Sequence, residues 1–171
     1  DLCLGPNGED VYVYIDNNGS DGNDGYVMMC NMATLTKTRL LYTYQSPGGA
    51  CALHLSGKAF NKPGWVIASF YADYINYGTY PASPKQAWHN KVLAIELHST
   101  PEILMIGSTQ VVVSNYGGYF GEHQATVSRY GYWVVLSTNF NNDSSSTDLD
   151  PKVEDIVIAL HSNSIPAART T

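Results

Sequence analysis

An internal repeat restricts the fold of this chain more than any other feature of its sequence. Three segments of β-branched and aromatic residues are each followed by a polar loop: 11–16, 66–71 and 134–139. Similar segments follow further along each unit: 26–31, 91–97 and 155–160. A glycine-containing turn comes before each first segment, at 5–8, 61–64 and 128–131. Trp65 and Trp133 are 68 residues apart, and so are Val66 and Val134.

Each unit is therefore predicted to follow a four-strand plan, in which one strand precedes the turn. The third unit is expected to lack its last strand, because 162–171 contains Pro166 and little strand signal. Four consecutive antiparallel strands form one blade of a β-propeller. We predict an all-β, propeller-like fold of about three blades, at approximately 1–47, 48–110 and 111–171. Because closed propellers have about four to eight blades, we expect this single repeat domain to be part of a larger propeller or assembly. A β-sandwich of two sheets is the alternative.

The segment 123–139 has the sequence His-Gln-Ala-Thr-Val-Ser-Arg-Tyr-Gly-Tyr-Trp-Val-Val-Leu-Ser-Thr-Asn. It resembles the blade motif of TolB-type, WD40-like bacterial propellers, whose turn is typically Ser-Pro-Asp-Gly before an apolar strand that ends in Ser-Ser-Asn. Here Arg129 and Tyr130 stand where Pro-Asp is usual. The resemblance implies a fold and no particular activity.

Composition restricts the partners of the chain. Charged residues make up 14% of the 171 residues, against about 25% in typical soluble domains, and 13 tyrosines supply much of the polar surface. A net charge of −6 argues against binding to nucleic acid or an anionic membrane, and no apolar run is long enough to span a membrane. We expect an extracellular or periplasmic protein that begins at Asp1 because a leader was removed or because it is part of a longer chain. Asn18 and Asn142 begin possible glycosylation sequons.

Three cysteines, Cys3, Cys30 and Cys51, show no CxxC spacing, which argues against a cysteine zinc site. One disulfide with a free thiol is possible, and so are three buried thiols.

Two histidines are the strongest candidates for catalytic or metal-binding residues. His54 and His123 are 69 residues apart, so we expect both on innermost strands beside the central channel, with Gln124 next to His123. Imidazole with oxygen ligands suits a divalent ion such as Mn or Zn. The chain is distantly similar to oligogalacturonate lyases, and this similarity implies a metal-assisted polysaccharide lyase acting on uronate-containing glycans. The alternative is that each histidine bonds to backbone across neighbouring blades.

A second possible cation site lies in an acidic loop. Asp16, Asn18 and Ser20 occupy alternate positions, as in the first half of a calcium loop, but the usual glycine and glutamate are missing. A solvated turn is the alternative.

Aromatic residues crowd two long loops and are candidate glycan ligands: Tyr74, Tyr77, Tyr80, Trp88, Tyr116 and Tyr119. The same residues are equally suited to a protein interface. We therefore predict a binding or assembly module that contacts protein partners or glycans, its partners being other copies of the chain or the remainder of a larger propeller. The lyase is the alternative function.

Overall fold

A computed structural model describes residues 1–17, 21–43, 51–72, 87–109, 123–138, 154–161 and 164–170. The strands form three antiparallel sheets, and in each sheet neighbouring strands are consecutive in the chain. Sheet 1 contains β1 (Leu2–Leu4), β2 (Asp10–Ile15), β3 (Tyr26–Asn31) and β4 (Lys37–Tyr42). Sheet 2 contains β5 (Cys51–Ser56), β6 (Trp65–Ala72), β7 (Lys91–Glu96) and β8 (Ile103–Ser108). Sheet 3 contains β9 (Thr126–Val127), β10 (Trp133–Thr138) and β11 (Glu154–Ala159).

The predicted all-β class is confirmed. Sheets 1 and 2 are repeated four-stranded units of the blade type, and the part of sheet 3 within the described residues has three strands. Three sheets, rather than two, argue against the β-sandwich. The described residues contain no helix, and hence none that could cross a membrane.

Sheet 2 lies between the other two sheets and is buried on both faces. One core joins it to sheet 1 and includes Val11, Val13, Val66, Ala68 and Phe70. The other joins it to sheet 3 and includes Trp65, Ile67, Val92, Val134 and Leu136. Successive residues of β6 therefore enter opposite cores, which explains why this strand is apolar along nearly its whole length rather than alternating.

Sheets 1 and 2 share an irregularity that defines their correspondence. The pairing of the third and fourth strands shifts register between Val27 and Met28 in sheet 1, and between Val92 and Leu93 in sheet 2. The residue before each third strand has a positive φ, 78° at Gly25 and 59° at Asn90. Glycine and asparagine are the residues that tolerate this conformation best. The two sheets are thus copies of one backbone plan.

The C-terminal segment returns to sheet 2. Ile165 is buried in the core between sheets 2 and 3. Arg169 donates hydrogen bonds to both carboxylate oxygens of Glu96, the last residue of β7. Residues 164–170 therefore bind to the sheet in the middle of the stack.

Candidate functional site

Hydrogen bonds tie the segment that begins at His123 to β6 of sheet 2. The Ser69 hydroxyl donates to His123 O at 2.7 Å and accepts from Ala125 N at 3.1 Å. His123 is fully buried, and its Nε2 donates to Phe70 O at 2.7 Å. These contacts match the alternative in which a histidine bonds to backbone across neighbouring sheets.

The structure brings His54 and His123 to the same tyrosine. The His54 ring stacks on Tyr71 with centroids 5.3 Å apart, and the His123 ring meets Tyr71 edge-on at 6.1 Å. The three rings therefore form a continuous cluster between sheets 2 and 3.

The contact of both histidines with Tyr71 arises because the two histidines do not occupy equivalent positions in their sheets. The strand register differs by one residue from the equivalence that their spacing in the sequence predicts. His54 lies opposite Ser69 on the face of sheet 2 that is directed toward sheet 3. When the β9–β10 register is extended, His123 corresponds to Leu53 rather than to His54. Because adjacent residues of a strand point to opposite faces, His123 is directed back toward sheet 2.

The cluster does not by itself form a metal centre. No group of three or more His, Cys, Asp or Glu side chains suited to a metal occurs among the described residues. Gln124 is exposed, on the other side of the strand from His123. Mn or Zn binding by these residues therefore stays a prediction, and the ring cluster acts as an inter-sheet contact.

The cysteines of sheet 1 are thiols on opposite faces. Cys3 is buried against sheet 2, and burial raises its pKa to about 11. Cys30 is half-buried on the outer face. The side chain of Cys51 lies outside the described residues.

The acidic loop is described only in part. Asp16 is half-buried, and its carbonyl accepts the amide of Gly25 at 2.7 Å. Asn18 and Ser20 lie outside the described residues, so calcium binding stays a prediction. The Asp21 carboxylate accepts the backbone amide and side-chain amide of Asn23, and these bonds lower the pKa of Asp21.

Most of the predicted aromatic ligands also lie outside the described residues: Tyr74, Tyr77, Tyr80, Tyr116 and Tyr119. The same holds for the sequon residue Asn142. Trp88 is described, and it packs half-buried against the core between sheets 1 and 2. Its position favours a packing role.

The outer face of sheet 1, here the leading face, is rich in aromatic side chains. Tyr12 and Tyr14 stack with centroids 5.4 Å apart and planes inclined by 15°. Tyr26 and Tyr42 have centroids 4.8 Å apart, and the Arg39 guanidinium lies over the Tyr26 ring. The exposed or half-buried apolar and aromatic residues of this face are Leu2, Tyr12, Tyr14, Tyr26 and Tyr42, whereas Met28 on the same face is only 2% exposed.

The outer face of sheet 3, here the trailing face, is apolar at the opposite end of the stack. Trp133 is 51% exposed and Val157 57% exposed. Val135 pairs with Val157, and Trp133 pairs with Ala159. Sequence reasoning missed both terminal faces as sites because their residues look like ordinary strand residues; their exposure depends on which sheets are neighbours.

No known relative indicates a function for these residues. No protein-family model matches the chain, and comparisons with characterised proteins and with solved structures found no significant match.

Proposed function

We propose that the chain is a non-catalytic binding and assembly module, and that a second copy of the chain covers its two terminal faces. The observation that carries this proposal is the exposed apolar surface at both ends of the stack. On the leading face Leu2 is 59% exposed and Tyr12 44% exposed. Several exposed apolar and aromatic side chains on one sheet face are typical of an interaction surface.

The packing within the chain supports a second copy as the partner. Sheet 1 packs its inner face on one side of sheet 2, and sheet 3 packs on the other side. In both contacts, the face that a sheet directs toward the next sheet in the chain packs on the face that the next sheet directs back toward it. The trailing face of sheet 3 is of the first type and the leading face of sheet 1 is of the second type. Two copies can therefore pack head to tail as the sheets do within one chain. Two copies of three sheets would close a ring of six, within the range of known propellers.

Charge supports the same orientation. Lys37 and Arg39 lie on β4 at the leading face, in register with Cys30 and Met28. Asp155 lies on the trailing face, where it accepts a hydrogen bond from Ser137. In a head-to-tail contact these two cations can meet Asp155, although the leading face also carries the exposed Asp10 of β2, which pairs with Leu4.

The solution mass of the chain tests this proposal. We expect light scattering after size exclusion to give about twice the chain mass of 18.7 kDa. Trp133→Glu and Tyr12→Glu, each placing a charge on one terminal face, should give monomers. Mixing the two variants should restore a dimer, because each retains the face that the other has lost. Met105→Glu, at a 67% exposed position of β8, is the control and should remain a dimer.

Two results would overturn the proposal. A wild-type chain that stays monomeric at high concentration would mean that another occupant, such as a blade-type sheet from a different segment, covers these faces. A dimer that survives Trp133→Glu would mean that the copies do not associate head to tail.

The location outside the cytoplasm stays a prediction that rests on the low charge and on sequons at Asn18 and Asn142, which lie outside the described residues.

A further inference from the structure

Two turns at one end of sheets 2 and 3 touch each other. These are the turns that enter β6, at 57–64, and β10, at 128–132. Asn61 N donates to Arg129 O at 2.9 Å, and Arg129 Nε donates to Asn61 Oδ1 at 3.1 Å. The reciprocal bonds hold the two turns as one surface.

Two tyrosines form an aromatic platform on this surface. The rings of Tyr130 and Tyr132 have centroids 6.0 Å apart, and their planes are inclined by 18°. Tyr130 is 56% exposed and Tyr132 42% exposed. Between them, Gly131 adopts a φ of 71° and leaves space for Lys62, whose Cδ lies 3.3 Å from where a Gly131 Cβ would be. The stem of Lys62 therefore lies directly beside the platform.

The two turns that form this surface are rich in cationic residues. They carry Lys58, Lys62 and Arg129 and no aspartate or glutamate of their own. The Asp1 carboxylate contacts the start of the first turn, where it accepts a hydrogen bond from Gly57 N at 2.8 Å. The chain as a whole has a net charge of −6. A local group of cations on an acidic protein favours an anionic ligand at that place.

We propose that Tyr130 and Tyr132 bind an anionic glycan by stacking, while Arg129 and Lys62 bind its carboxylate or sulfate groups. The apolar C–H face of a sugar ring packs well on an aromatic face, and the tyrosine hydroxyls and the Asn61 amide can hydrogen-bond its hydroxyl groups. The guanidinium group of Arg129 suits the planar recognition of a carboxylate. Phe60, 48% exposed, adds a third aromatic ring to the surface of the two turns, and the cationic residues beside the rings favour an anionic glycan over an apolar protein surface.

The platform is separate from the trailing face. Leu160 N donates to Tyr132 O, and the Leu160 side chain packs against the core between sheets 2 and 3. Tyr132 is thus on the side of sheet 3 that is directed toward sheet 2, whereas Trp133 lies on the outer face. Glycan binding therefore uses residues and a measurement that are independent of the proposed self-association.

Affinity electrophoresis with matched polysaccharides tests the site. We expect dextran sulfate or alginate to retard the chain and neutral dextran to leave its mobility unchanged. Binding to dextran sulfate alone would identify the group as sulfate, and binding to alginate alone would identify it as carboxylate. Added salt should weaken the retardation because it screens exposed charges.

Variants separate stacking from simple charge attraction. Tyr130→Ala and Tyr132→Ala should each weaken binding by about tenfold, since they remove the stacking face. Arg129→Gln with Lys62→Gln should abolish it. Met105→Ala and Lys91→Gln, which lie away from the two turns, are the controls and should bind normally. Unchanged binding in both tyrosine variants, or equal binding to dextran, would overturn the proposal; circular dichroism verifies that each variant is folded.

Discussion

The Arg169 guanidinium closes over the buried carboxylate of Glu96. Arg169 Nε lies 3.1 Å from each carboxylate oxygen, and Arg169 N donates to Oε1 at 2.8 Å. Glu102 N donates to Oε2 at 3.1 Å. A carboxylate that is only 1% exposed is thus satisfied from both the C-terminal segment and its own sheet.

This arrangement predicts a loss of stability in acid. The hydrogen bonds from Arg169 hold the pKa of Glu96 at about 2, below its ordinary value of 4.5. Because the folded-state pKa is lowered, the stabilising contribution is present above about pH 4.5 and is lost as the pH falls toward 2. Urea unfolding across this range should show a decline that Glu96→Gln lacks.

At neutral pH we expect Glu96→Gln to lower the free energy of unfolding by about 1–3 kcal/mol, because charged hydrogen bonds to a buried group are lost. Glu102→Gln is the control. Its side chain is exposed, and its backbone amide is unchanged, so its effect should stay within about 0.5 kcal/mol. Equal pH profiles for wild type and Glu96→Gln would contradict the prediction.

Ser69→Ala should destabilise the junction between sheets 2 and 3. The substitution removes the hydroxyl that joins His123 O and Ala125 N and leaves these buried groups unpaired, at a cost of about 1–3 kcal/mol. Ser137 occupies the corresponding position of the next unit but bonds Asp155 on an exposed face. In the Trp133→Glu background, where the trailing face should be uncovered, Ser137→Ala should therefore change the unfolding free energy by less than about 0.5 kcal/mol. Similar effects of the two substitutions in chemical denaturation would disprove the assigned difference.

Gly57→Ala should loosen the contact between sheet 1 and the turn that follows β5. An added Cβ would lie 2.7 Å from Leu2 O and would overlap Cys3 Sγ. We expect a loss of about 2–3 kcal/mol from this overpacking, measured by thermal unfolding. Gly8→Ala is a useful comparison because its added Cβ meets nothing within 4 Å, and only its φ of 83° opposes the change. That substitution should cost about 1 kcal/mol. Removing the Cys3 sulfur with Cys3→Ala should partly rescue Gly57→Ala; no rescue would argue against this contact.

Cys3 should resist thiol reagents in the folded protein. Its raised pKa of about 11 keeps the thiol protonated at pH 8, and burial blocks access to the sulfur. Mass spectrometry after brief maleimide treatment should find Cys3 unmodified in native protein and modified in guanidinium. Labelling of native Cys3 at the denatured rate would contradict the burial of the Cys3 side chain.

The repeat in the sequence predicted where the strands lie more accurately than which residues of different units occupy equivalent positions in them. Val11 and Val66 are 55 residues apart in the pattern, but strand pairing places Val11 at the position of Trp65. Likewise Val92 corresponds to Asp155 rather than to Ile156. The reason is that sheet 2 is buried on both faces. A strand that is apolar along its whole length does not reveal in sequence which residues point to which side.

The candidate sites likewise combine residues that the sequence singles out with contacts that only the tertiary structure forms. His54 and His123 stood out in the sequence, yet their shared contact with Tyr71 depends on opposite strand faces. Tyr130 and Tyr132 looked like part of an ordinary turn, because their cationic surroundings include Lys62 from the preceding unit. Side chains that are far apart in sequence form a site only after the sheets have stacked.

The sequence by itself determined an all-β chain of repeated blade-type units, because local strand propensity and turn residues recur with each unit. Only the tertiary structure decided which faces of those units are covered. The inner faces bury aliphatic residues against a neighbouring sheet, whereas Tyr12 and Trp133 remain exposed at the two ends of the stack. Local residue patterns specify strands, but burial depends on which sheets come together.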